Sequence, residues 1–124
     1  MRFVSHEGRQ IWQAKVPGTV SVAPLVAGGA AFVVAGKTLL ALQMQDGTER
    51  WPKKEYRPAI RAAPAFRGNR LYVGADGAVQ ALTAETGTHR WSCRTQGEIV
   101  ASPVPQQDTV YAASSDFGVY AIRD

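Results

Sequence analysis

Cysteine occurs once in this sequence, at Cys93, which excludes an internal disulfide and any zinc site built on several cysteines. Histidine is almost as scarce, with only His6 and His89 to offer imidazole to a metal. Charged residues make up 19% of the 124, too few for a solvated, disordered chain. Long hydrophobic runs are missing as well. The longest uncharged stretch, Val16 to Gly36, is broken by Pro17, Pro24 and several turn residues, so no membrane-spanning helix fits it. The start, Met1 to Glu7, holds no apolar run of the kind a secretory leader needs, and none is expected in it. The net charge of +4 is spread along the chain, and neither nucleic-acid binding nor membrane insertion is expected.

What is present is enough for one domain. Apolar residues make up 45% of the chain, so a core can be buried. Twelve glycines and seven prolines punctuate it at short intervals, which suits many short strands.

The chain also repeats itself. Trp12, Trp51 and Trp91 recur at nearly constant spacing, each preceded four positions earlier by a glycine: Gly8, Gly47 and Gly87. Downstream of each tryptophan come a small residue and proline: Ala23-Pro24, Ala63-Pro64, Ser102-Pro103. A β-type run follows (Ala31–Val34, Arg70–Val73, Thr109–Ala112), and a second run ends in alanine plus an aliphatic residue at Ala41-Leu42, Ala81-Leu82 and Ala121-Ile122. The units are read as roughly 12–50, 51–90 and 91–124, with 1–11 completing a terminal unit.

Each unit reads as about four strands. The apolar runs are short, rich in Val, Leu, Tyr and Phe, and bounded by turn pairs such as Gly28-Gly29, Gly68-Asn69 and Asp76-Gly77. In the second unit the strands are expected near Lys53–Tyr56, Arg61–Phe66, Arg70–Gly74 and Ala78–Thr83. One such sheet cannot cover both its own faces, but sheets stacked radially cover one another, which is the β-propeller arrangement. The expected fold is therefore all-β: about three four-stranded blades of a propeller, forming a single segment over 1–124. A sandwich of a dozen strands does not call for equal units.

The repeated residues have structural work to do. Gly47 and Gly87 permit a left-handed turn. Ala41 and Ala81 leave room across the strand, and the tryptophans supply an apolar face and one N–H donor to bridge adjacent sheets. These segments, Ala41-Leu-Gln-Met-Gln-Asp-Gly47-Thr-Glu-Arg-Trp51 and Ala81-Leu-Thr-Ala-Glu-Thr-Gly87-Thr-His-Arg-Trp91, resemble the eleven-residue tryptophan-docking motif of PQQ-like (quinoprotein-type) propeller repeats. The resemblance covers nearly the whole chain and implies a propeller. It implies no single activity, because the family spans quinoprotein dehydrogenases, a lipoprotein of outer-membrane protein assembly and propellers fused to bacterial serine/threonine kinases. The first copy lacks the small opening residue, with Arg2 in its place, and the last begins at Ala121. Three blades fall short of the four to eight of closed propellers. The remaining blades come from a longer protein, the favoured reading, or from further copies of the chain.

A non-catalytic binding, scaffold or sensor module is the expected function, with a protein or ligand docked on the loop faces. A fragment of a PQQ-dependent dehydrogenase is the alternative. For dehydrogenases the resemblance implies PQQ, a Ca²⁺ ion and often a vicinal cysteine pair; this sequence lacks the pair, and no catalytic, cofactor-binding or metal residue is assigned. Its acids, including Asp46, Asp76, Glu85, Asp108 and Asp116, sit in turn contexts. The residues singled out are therefore the docking set (Gly8, Trp12, Ala41, Gly47, Trp51, Ala81, Gly87, Trp91, Ala121) and one charge concentration, Lys53, Lys54, Tyr56, Arg57 and Arg61, as a surface for an acidic partner. The compartment is left open, with an extracytoplasmic one implied by the family.

Overall fold

The computed structural model describes the chain except residues 1, 5–9, 21, 57–59, 61, 76, 96, 100 and 116–117. The described residues contain thirteen strands and no helix. β1 (Arg2–Val4) and β2 (Gln10–Gln13) pair alone. β3 (Leu25–Ala27), β4 (Ala30–Ala35), β5 (Thr38–Gln43) and β6 (Glu49–Glu55) form an antiparallel sheet in sequence order. β7 (Ala65–Arg67), β8 (Arg70–Ala75), β9 (Ala78–Thr83) and β10 (His89–Arg94) repeat it. β11 (Val104–Gln106), β12 (Thr109–Ala113) and β13 (Val119–Arg123) make a three-stranded third sheet.

The sheets are offset from the tryptophan-to-tryptophan units. Trp51 lies on the last strand of the sheet that begins at Leu25, so the strand expected at Lys53–Tyr56 belongs to the preceding sheet. The strand expected at Arg61–Phe66 is Ala65–Arg67. A tryptophan thus closes a blade instead of opening one.

The middle strands explain why the stack is stable. β4 reads Ala-Ala-Phe-Val-Val-Ala and is buried at every position, because both faces of the sheet are covered. Its residues alternate between two cores. Phe32 and Val34 join Leu39, Ala41 and Trp51 against Leu71, Val73 and Leu82 of the second sheet. Ala31, Val33 and Ala35 join Leu40 and Leu42 around Trp12. A third core sets Tyr72, Val79 and Ala81 against Ile99, Val110 and Ala112. Strand periodicity of two is what lets one strand feed two interfaces.

The outer strands are written differently. On β6, Trp51 is buried while Pro52 and Lys53 are exposed. Proline and lysine on an edge strand discourage pairing with another chain. One glycine on an inner strand is fixed by packing alone. A Cβ added at Gly74 would lie 2.3 Å from Ile99 Cγ2 of the following segment. Gly74→Val should therefore cost about 1–3 kcal/mol in a denaturant titration through overpacking. An unchanged midpoint would mean that Ile99 moves aside freely.

Candidate functional site

Alanine and tryptophan of one motif are cross-strand neighbours: Ala41 pairs with Trp51 and Ala81 with Trp91. Both alanines are fully buried. The indole, however, leans out of its own sheet onto the next. Trp12 Nε1 donates to the Met44 carbonyl at 2.8 Å, and its ring lies over Gly47, where a Cβ would stand 2.4 Å from Cε3. Trp51 repeats this one sheet later. Its Nε1 donates to the Ala84 carbonyl at 3.0 Å, and a Cβ at Gly87 would stand 2.6 Å from Cδ2. Gly47 and Gly87 have φ of 76° and 75°, the left-handed turn expected of them. Glycine is thus required twice over, by its backbone and by the ring above it. Asp46 braces the first turn: its carboxylate accepts from the Thr48 N–H and hydroxyl at 3.0 and 2.7 Å. These bonds, led by the backbone one, hold its carboxyl below the usual range.

Trp91 differs. Its Nε1 donates to the side chain of Asp124 at 2.9 Å, and the same carboxylate accepts from the Tyr72 hydroxyl and, at 3.4 Å, from Arg70 Nε. Burial pushes the Asp124 carboxyl up, but the bonds from Trp91 and Tyr72 and the charge of Arg70 outweigh it, so the net shift is downward. Burial, reinforced by Asp124, pushes the Tyr72 phenol well above its ordinary value. Because Asp124 has its carboxyl depressed in the folded state, its contribution is complete above the ordinary value near 3.8 and is lost as pH falls below that. Melts recorded from pH 6 to pH 2.5 should show an acid limb that is shallower in Asp124→Asn. Identical limbs would mean that the contact contributes nothing to folding.

The remaining singled-out positions separate. Ala121 lies exposed on β13, and Gly8 falls outside the described residues. In the first copy the register sets Phe3, not Arg2, opposite Trp12. Lys53 is exposed on β6, and Lys54 is held with its Nζ 5.8 Å from the Trp51 ring centre. Tyr56 requires a correction. It is 8% exposed and packs in the core between the first two sheets, so it is not a surface residue. Its backbone N–H donates to the Lys37 carbonyl at 2.8 Å, which turns the chain inward at the end of β6. Arg57 and Arg61 fall outside the described residues.

Sequence reasoning missed a polar cleft of about 530 Å³ between the first and second sheets, lined by Gly28, Gln43, Arg50, Asn69 and Glu85. Arg50 is anchored there, with Nη1 donating to the Gly28 carbonyl at 2.9 Å and Nη2 to Gln43 Oε1 at 3.1 Å. The only signal was the position of Arg50 just before the tryptophan, where it reads as filler of the motif. His89 bonds Ser92 on the exposed part of β10. Among the described residues no three or more His, Cys, Asp or Glu side chains gather as a metal site, and no helix is long and apolar enough to cross a membrane.

Comparison with known proteins bears on this architecture. Curated protein sequences gave no match. Among solved structures, BamB from Moraxella catarrhalis superposes with a TM-score of 0.78 at 21% identity, over 92% of this chain and 40% of that one. The computationally designed Ika8 protein gives 0.82 at 20% identity, over 94% of this chain and 37% of its own. Quinohemoprotein alcohol dehydrogenase ADHIIG from Pseudomonas putida HK5 gives 0.70 at 22% identity, over 91% of this chain and 20% of its own. The chain therefore spans two fifths or less of these proteins, and the likeness is one of fold. The family model described as outer membrane protein assembly factor BamB matches residues 3–61 and 38–124, and this chain belongs to that family of PQQ-like propeller repeats.

Proposed function

We propose that this segment is a non-catalytic scaffold, a rigid stack of propeller blades that presents loop and rim surfaces to a protein partner. The observation that supports it most is where the motif residues are used. Trp12 and Trp51, the large aromatic groups most suited to stacking a ligand, are buried between sheets with their N–H groups on backbone carbonyls. The family description as an outer membrane protein assembly factor agrees with a role in protein–protein contact. We assign the rim carried by Lys53 and Lys54 to that contact, facing an acidic surface of the partner.

The dehydrogenase reading is kept as the second, because ADHIIG and a europium-containing methanol dehydrogenase share the fold. Titration with PQQ, with and without Ca²⁺, separates the two by the quinone absorbance. The scaffold reading expects a flat response; saturable, calcium-dependent binding would replace it with the enzyme reading. The rim is tested by Lys53→Glu combined with Lys54→Glu. Stability should change by about 1 kcal/mol at most, since an exposed charge such as Lys53 contributes little and a part-exposed lysine over an indole, as at Lys54, about 0.5–1. Partner capture by the folded double variant should fall. Undiminished capture would remove the rim from the proposal.

A further inference from the structure

Two hairpins of the first sheet meet at Arg50. The β5–β6 hairpin supplies Gln43 and Arg50 from its two legs, and the β3–β4 turn supplies Gly28 and Gly29. The Met44 N–H donates to the Gly29 carbonyl at 3.1 Å and ties the turns together. A Cβ at Gly29 would stand 3.3 Å from Arg50 Nη2, so the glycine lets the guanidinium lie close against the backbone.

Arg50 is half-buried there and spends three of its five N–H donors on the protein. Nε and Nη2 donate to Gln43 Oε1, and Nη1 donates to the Gly28 carbonyl. One hydrogen on each terminal nitrogen is left over. Arginine only donates, so Gln43 turns its amide oxygen toward it and keeps its NH2 as a further donor. Such anchoring is not a property of the motif. In the next repeat Arg90 precedes the tryptophan, but Thr83 stands where Gln43 does, and Arg90 is exposed.

The facing wall belongs to the second sheet and has the opposite chemistry. It is formed by Asn69, in the left-handed β7–β8 turn at φ 63°, and by Glu85, in the β9–β10 turn. Among the described residues Glu85 makes no ion pair with Arg50. The opening between them, about 530 Å³, has the size of a small-molecule site.

We propose that this cleft binds a short peptide with both ends free. Its carboxylate lies on the donors of Arg50 and Gln43, its ammonium on Glu85, and a peptide group between them on Asn69. Three features select that class. Donors gather on one wall and a carboxylate on the other, so a ligand with one sign of charge is opposed by one of the walls. Among the described lining residues none is aromatic, which removes the stacking platform a nucleobase needs. The guanidinium is fixed by three hydrogen bonds before the ligand arrives, so little side-chain freedom is lost on binding. Neither Lys53 nor Lys54 lines the cleft, which separates it from the rim assigned to a protein partner.

Triglycine titrated into the 15N-labelled 124-residue chain tests this by nuclear magnetic resonance. Saturable shifts at millimolar peptide are expected at the Gly28 and Gly29 amides, the Gln43 side-chain amide and Arg50 Nε. Amidating the carboxylate of the peptide, or acetylating its amine, should each weaken binding about tenfold or more, the effect of losing a hydrogen bond to a charged group. Arg50→Met should remove the response to amidation. Glu85→Gln changes an exposed side chain, so the fold is kept, and it should erase the difference between triglycine and its acetylated form while the carboxylate stays necessary. No saturable shift at these positions overturns the proposal, as does binding indifferent to both blocked ends. Discrimination by acetylation that survives in Glu85→Gln overturns the role of Glu85, and glycine bound as tightly as triglycine replaces the peptide with a free amino acid.

Discussion

Trp51→Ala is expected to lower the free energy of unfolding by roughly 3–5 kcal/mol, the range for truncating a buried aromatic side chain. The ring is 5% exposed, lies 6.4 Å from Phe32 by ring centres and occupies the seam between two sheets. Its loss opens a cavity at that seam and leaves the Ala84 carbonyl without its donor. Denaturant unfolding followed by circular dichroism measures this without relying on indole emission. A loss below about 1 kcal/mol would show that the sheets hold together without the indole. Trp91→Ala should cost distinctly less. Trp91 is only half-buried, and its bond to Asp124 lies at the surface. The contrast between the two variants tests docking, not merely the presence of an aromatic group.

Gly87→Val should be nearly as damaging, for two reasons that can be separated. A β-branched residue at φ of 75° is strained by about 1–3 kcal/mol. Its Cβ would also stand 2.6 Å from Trp51 Cδ2, so the indole must leave its seat. The combined loss is expected at about 3–5 kcal/mol, much of it the lost docking of Trp51. In a Trp51→Ala background the same change should cost only the backbone strain, because the ring it collides with is gone. A double-mutant cycle then gives a coupling of about 1–3 kcal/mol. Strict additivity would mean that Gly87 serves its own turn and nothing else.

The all-β class, the recurring unit and the left-handed turns at Gly47 and Gly87 were legible in the sequence because each is local. Strand propensity, turn chemistry and a period near forty residues are all readable along one dimension. The surface was less legible. Tyr56 follows a run of charges and reads as rim, yet the chain turns inward at the end of β6 and buries it. The Arg50 cleft draws its lining from two sheets, which nothing local encodes.

The sequence by itself determined that tryptophan, glycine and alanine recur in step, because burial of both faces of a short sheet demands repetition. It did not determine which glycine each tryptophan meets. Trp51 has Gly47 four residues before it, but its indole rests on Gly87, and Gly47 receives Trp12. Only the stacking of sheets decides this. An indole on an outer strand cannot fold back onto its own sheet's turn while its strand pairs beside that turn. It reaches instead across the seam to the sheet that follows.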